Sequence, residues 1–135
     1  MAVLAFGVSF GVLAQAAGFG RLAAVVMSAT AFAGSSQFAA VSILGAGGGA
    51  AAAILAAVLL NSRYAPMGLA AAPALRGGAA RRGAEAQLVV DEAWALASRG
   101  DGRFDRSVLL GAGLVLYIAW VTGTALGVLA GEALG

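Results

Sequence analysis

The residues that could perform chemistry in this 135-residue chain form three polar clusters, two inside apolar segments and one in the charge-rich stretch 76–106. The clusters are Gly34-Ser35-Ser36-Gln37, Asn61-Ser62-Arg63 and Asp91-Glu92. The sequence contains no His, Cys or Lys, so the serines have no such base to activate a hydroxyl, and imidazole and thiolate metal ligands are missing. Two adjacent acids are too weak a signature for a metal site. We therefore expect a protein that is not an enzyme and uses no cofactor or metal.

The first cluster predicts a helix that opens locally. Gly34 is followed by three hydrogen-bonding side chains, Ser35, Ser36 and Gln37, near the middle of an apolar segment. Backbone groups freed by such a break can meet a polar solute, and N–H groups at the start of a half-helix favour a carboxylate. These four residues are therefore candidates for substrate binding. The alternative is a polar contact between helices, in which Gly34 permits close approach.

The second cluster places Arg63 near the middle of the apolar segment 50–75. A charged arginine at that depth costs about 3 kcal/mol on insertion scales, so the side chain should face a bundle interior rather than lipid. Its planar guanidinium suits bidentate binding of a carboxylate, which makes Arg63 and neighbouring Asn61 candidate substrate ligands. Two alternatives stay open: a structural ion pair, or two shorter helices that meet here, which Pro66 and Pro73 permit.

The third cluster, Asp91 and Glu92, belongs to a short helix predicted over 84–98. Because the chain has no histidine, these carboxylates are the candidates for coupling solute movement to protons. The helix has an apolar face, so it could lie on the membrane surface or dip in and bring an acid near Arg63. The alternative is that both are solvated acids that balance the surrounding arginines. The other acids of this region are interpreted as surface charges: Glu85, Asp101 and Asp105.

The elements that must position these clusters follow from composition. The chain is 61% hydrophobic and 10% charged, with a mean hydropathy of +0.95, whereas soluble domains carry about 25% charged residues. This composition is typical of an integral membrane protein. The formal net charge of +2 is too small to indicate a nucleic-acid partner.

The apolar runs predict an all-α fold, a polytopic transmembrane helical bundle with broken helices that forms one membrane domain over residues 1–135. Backbone groups in lipid must pair internally, and the runs show none of the period-two alternation of a barrel. We expect spans at about 1–17, 22–45, 50–75 and 107–131, and a cytoplasmic or interfacial stretch at 76–106. That stretch holds six of the eight arginines, which predicts its cytoplasmic side in a multi-pass cell-membrane protein.

Small residues mark the surfaces where these helices should pack. Close packing drives helix association in lipid, so glycines at four-residue spacing indicate contact faces. The glycines predicted to pack helices are Gly7, Gly11, Gly123, Gly127 and Gly131.

The order of these motifs resembles the AzlC (YgaZ-type) family of branched-chain amino acid permeases. The resemblance is carried by Met27-Ser28, Phe32-Ala-Gly-Ser-Ser-Gln-Phe38, Asn61-Ser-Arg-Tyr64, Met67-Gly68, Asp91-Glu92-Ala-Trp-Ala-Leu96 and Trp120-Val-Thr-Gly-Thr124 with Gly127 and Gly131. One departure is Tyr64, where the family usually has His. Family members also continue through further membrane segments, so the chain is expected to be a truncated, N-terminal part.

The resemblance implies export of branched-chain amino acids by a secondary carrier, with a small AzlD-type membrane protein as its second subunit. It points to five residues as substrate or coupling candidates, followed by Asp91 and Glu92; the five are Ser35, Ser36, Gln37, Asn61 and Arg63. The alternative is a non-transporting membrane assembly module or an inactive fragment.

Overall fold

The computed structural model describes residues 1–134, and every regular element in that range is helical. The helices are α1 (Ala2–Ala16), α2 (Arg21–Ala31), α3 (Gly34–Gly45), α4 (Ala50–Asn61), α5 (Tyr64–Ala71) with a 3-10 turn (Ala72–Ala74), α6 (Ala79–Ala86), α7 (Asp91–Ala97) and α8 (Arg106–Leu134). The one extended pairing in this range is a single bridge between Ser98 and Phe104. The all-α expectation is confirmed.

The segment predicted over 22–45 is broken, as its glycine and polar residues indicate. Helix α2 ends where Phe32 adopts a left-handed conformation (φ 41°, ψ 50°), and α3 begins two residues later at Gly34. A left-handed backbone is uncommon for an aromatic residue, so surrounding contacts must hold it.

The segment predicted over 50–75 is also divided, because α4 ends at Asn61 and α5 begins at Tyr64. The apolar run Ala50–Ala74 is nevertheless 25 residues long and apolar enough to cross a membrane. The run Arg106–Ala133, within α8, is 28 residues long and meets the same criterion. The exact limits of the spans stay predictions.

The single helix predicted over 84–98 is wrong, because the structure places two helices there, α6 and α7. Between them Val90 is extended (φ −115°, ψ 165°), and both Val89 and Val90 are buried. Adjacent β-branched residues favour extended backbone, and burying both of them takes the chain out of the helix. Helix α7 then starts with Asp91 and Glu92 in its first turn, where carboxylates interact favourably with the helix dipole.

Two compact units divide the chain, the first made of Met1–Asn61 with the residues from Ile118 onward, the second of Ser62–Tyr117. In the first unit α1 packs closely on α8. A Cβ built on Gly7 would lie 2.7 Å from the carbonyl oxygen of Trp120, and one on Gly127 would lie 2.8 Å from the carbonyl carbon of Val8. Glycine therefore lets the two backbones meet.

An aromatic cluster lies in the first unit, beside the contact between α1 and α8. The rings of Phe10 and Trp120 stack at 5.8 Å between centroids, and Phe38 meets both rings edge-on, at 5.7 and 6.1 Å. The second unit has its own core, which includes Leu109, Ala93 and Ala97.

Candidate functional site

A buried polar cluster lies at the helix break of the first unit. The Gln37 amide nitrogen donates to the Ser28 hydroxyl at 3.0 Å, and the hydroxyls of Ser28 and Thr124 share a hydrogen bond at 2.8 Å. The Trp120 indole N–H donates to Gln37 Oε1 at 3.2 Å. Ser28, Gln37 and Thr124 are fully buried, so α2, α3 and α8 are joined through polar groups that do not meet solvent.

The same amide holds the break open. Gln37 Oε1 also accepts the backbone N–H of Ala33 at 3.1 Å, and the Ser36 hydroxyl donates to the Ala33 carbonyl at 2.9 Å. Both groups would otherwise lose partners where the helix is interrupted. A Cβ on Gly34 would lie 3.1 Å from the Trp120 ring, so the indole packs directly on the start of α3.

These bonds have the form of a polar contact between helices, the alternative left open for this cluster. Gln37 and Ser36 face protein groups, whereas the Ser35 side chain is exposed. Contact of Gly34, Ser35, Ser36 or Gln37 with a solute stays a prediction.

Asn61 is the last residue of α4, in the first unit, and its side chain carries an unsatisfied hydrogen-bond acceptor. Its Oδ1 atom is buried and has no hydrogen-bond partner within residues 1–134. An unsatisfied buried acceptor is costly, so this atom can accept an N–H or O–H donor from a water or a solute.

The second unit brings together two of the predicted residues, Arg63 and Asp91. The Arg63 guanidinium lies 2.7 Å from the Asp91 carboxylate, and its Cζ lies 5.3 Å from the centre of the Tyr64 ring. The side chains of the ion pair are 42% and 43% exposed. Glu92 is exposed and makes no ion pair in the described part of the chain. The acid of this region that meets Arg63 is therefore Asp91.

Glu85, interpreted from the sequence as a surface charge, is instead buried at the centre of a charged cluster. Its carboxylate accepts the Arg76 backbone N–H and the Arg81 Nε–H, each at 3.0 Å, and it pairs with Arg106. The Arg76 N–H is the main cause that lowers the pKa of Glu85, and Arg81 and Arg106 lower it further. The i,i+4 spacing of Arg81 and Glu85 was the available signal for part of this cluster.

Asp101 and Asp105 are surface ion-pair partners. Arg103 hydrogen-bonds to Asp101 and holds the pKa of that carboxyl below its usual range, and Arg99 does the same for Asp105. Among the residues described, there is also no group of three or more acids, histidines or cysteines that could hold a metal.

Three residues of the buried cluster, Ser28, Trp120 and Thr124, are absent from the sequence-based site candidates. Each is a polar or amphipathic residue inside an apolar run, and that position alone could have marked it as a candidate site residue. Their connection to Gln37 could not be read from the sequence, since Trp120 lies 83 residues away from it.

Long apolar helices, glycine-mediated packing and enclosed polar contacts together define a helical membrane protein. The chain belongs to the AzlC family, whose model, described as AzlC protein, matches residues 1–134. It is 37% identical to an uncharacterized membrane protein of Archaeoglobus fulgidus over 99% of this chain and 58% of that protein. It is 28% identical to the inner membrane protein YgaZ of Escherichia coli K12 over 93% of this chain and 54% of that protein.

The chain thus spans a little more than half the length of these curated relatives. No solved structure matches it.

Proposed function

We propose that this chain is the large subunit, or part of it, of a two-component secondary carrier that exports branched-chain amino acids across the cell membrane. Its partner would be a small AzlD-type membrane subunit, and the chain would cross the membrane several times. Membership of the AzlC family and the two candidate membrane helices support this proposal. The choice of branched-chain substrates rests on the family resemblance.

The observation that carries the proposal is the ion pair of Arg63 with Asp91. Arg63 lies near the middle of the apolar run Ala50–Ala74, where a charged arginine is costly unless it is paired or meets a polar space. The pairing with Asp91 lowers that cost, and both side chains still keep more than two-fifths of their surface exposed. A solute could therefore reach them.

An exchange of ion-pair partners would let this site bind an amino acid. The carboxylate of the substrate would replace Asp91 on the Arg63 guanidinium, whose planar fork suits a carboxylate. Asp91, released from Arg63, would then act as the coupling carboxylate, so that substrate binding and ion movement are linked. Because one methylene discriminates by only about 1–3 kcal/mol, valine, leucine and isoleucine should overlap as substrates.

The test is valine efflux from cells that express the chain with and without the small subunit. Arg63→Ala removes a charged hydrogen-bond donor worth about 1.5–3 kcal/mol, so we expect substrate affinity to fall about 10- to 150-fold. Asp91→Asn should weaken the dependence of efflux on an imposed ion gradient. Arg82→Ala, an exposed arginine of α6, is the matched control and should leave efflux unchanged. Undiminished efflux by Arg63→Ala at equal membrane abundance would refute this site.

A second candidate function, a non-transporting assembly module, is favoured by the exposed apolar face of α4. Ile54, Leu55, Val58 and Leu59 are each about 60% exposed (59–63%), which suits lipid or another membrane helix. Stable co-purification with the small subunit, without efflux under any imposed ion gradient, would favour this function over the carrier.

A further inference from the structure

A cavity of about 440 Å³ in the second unit is lined by four arginines, Arg76, Arg99, Arg103 and Arg106, and by one acid, Asp105. This volume falls in the range of about 300–1,000 Å³ that is usual for small-ligand sites. We propose that the cavity binds a phosphate-bearing anion, and that the headgroup of an anionic phospholipid is the source favoured by its position. The proposal does not depend on the transport function.

The charges of the cavity leave room for an anion. Three of the arginines have acidic partners: Arg99 pairs with Asp105 at 2.5 Å, Arg103 with Asp101 at 2.6 Å, and Arg106 with Glu85. No carboxylate lies within 4 Å of the Arg76 guanidinium among residues 1–134. The cavity therefore has one more arginine than acidic partners.

Donors also remain unused on the paired arginines. The Nε–H of Arg106 is buried and has no hydrogen-bond partner in the part of the chain that the structure describes. Arg99 and Arg103 are 58% and 80% exposed, and each bonds to one carboxylate that orients its guanidinium. Since a guanidinium carries five donors, each can bind a phosphate oxygen without releasing its acid.

The position of the cavity explains why a lipid is the favoured source. Pro73 and Ala74 line it at the end of the apolar run Ala50–Ala74, and Arg106 lines it at the first residue of the run Arg106–Ala133. Two candidate membrane helices thus meet it at their ends, the depth at which lipid headgroups lie. Leu69, which precedes the lining residue Ala70 in the chain, is 78% exposed, so the apolar run that ends at the cavity keeps surface on which an acyl chain could pack.

The experiment measures lipid retained by the full chain purified in detergent, by native mass spectrometry. The probes are short-chain phosphatidylglycerol, short-chain phosphatidylcholine and inorganic phosphate. The variants are Arg76→Gln and Arg103→Gln, and Arg82→Gln is the matched control, since Arg82 is exposed and does not line the cavity. Arg103 is mostly exposed, so its replacement keeps the test usable should Arg76→Gln misfold.

We expect phosphatidylglycerol to bind in preference to phosphatidylcholine, with affinity about fivefold weaker in each cavity variant, the change that about 1 kcal/mol per arginine gives. Arg82→Gln should bind as the wild type does. Competition by inorganic phosphate would support recognition of the phosphate group, and binding of phosphate without lipid would assign the site to a free anion. Equal loss in Arg82→Gln and the cavity variants, or no binding of either anion, would overturn the proposal.

Discussion

Replacement of Gln37 by leucine tests the idea that a single amide holds the α2–α3 break together. Leucine keeps the approximate size of the side chain and removes its polar atoms. The change leaves two buried N–H groups, those of Ala33 and the Trp120 indole, without their acceptor. Ser28 loses the Gln37 donor but keeps its hydrogen bond with Thr124.

Two independent estimates give the size of the effect. A stranded buried donor costs about 1–3 kcal/mol, so two of them cost about 2–6 kcal/mol. Hydrogen bonds inside membrane proteins average about 0.6 kcal/mol, so the three bonds made by Gln37 amount to about 2 kcal/mol. Both estimates include a loss of about 2 kcal/mol in the free energy of unfolding, which is therefore the expected value.

The assay is reversible unfolding of the purified chain in detergent, followed by far-UV circular dichroism and tryptophan fluorescence. Gln15→Leu is the matched control, because the Gln15 side chain makes one long hydrogen bond, at 3.4 Å to the carboxylate of Glu132, an exposed residue. It should change stability by less than about 0.5 kcal/mol. A Gln37→Leu variant that is no less stable than Gln15→Leu would refute the structural role. If Gln37→Leu kept its stability but lost efflux, we would infer that Gln37 contacts the solute.

Two further perturbations address packing and charge. Gly127→Ala places a methyl group 2.8 Å from the Val8 carbonyl carbon and should lower the free energy of unfolding by about 1–3 kcal/mol. The control is Gly111→Ala, in open space on the same helix, which should raise that free energy by up to about 1 kcal/mol. Equal effects of the two changes would contradict the close packing of α1 on α8 at Gly127. The lowered pKa of Glu85 means that its stabilising contribution is present above the ordinary glutamate pKa and is lost as the pH falls through the lowered value. The melting temperature of the wild type should therefore fall more steeply below about pH 4 than that of Glu85→Gln. If the two melting temperatures fall in parallel with pH, the Glu85 carboxylate does not contribute to stability in this way.

The break between α2 and α3 shows how much of the structure the local sequence predicts. Gly34 and the three polar residues after it predict an interruption of an apolar helix, and the structure places one at Phe32 and Ala33. The left-handed turn at Phe32 was not predictable, because nothing about an aromatic side chain favours that conformation locally. The hydrogen bonds from Ala33 to Gln37 and from Trp120 to Gln37 stabilise the break, and the latter joins residues far apart in the chain.

The sequence alone determined the class of the protein, its helical fold and the identity of the few polar residues inside its apolar runs. Hydropathy and residue type are local properties, and lipid leaves an apolar run few alternatives to a helix. Tertiary structure decided which polar residues are partners: Gln37 with Trp120, Arg63 with Asp91, and Glu85 with Arg106. Each pairing depends on how separate helices approach one another, and that approach is set by packing over the whole unit rather than by the residues beside each polar group.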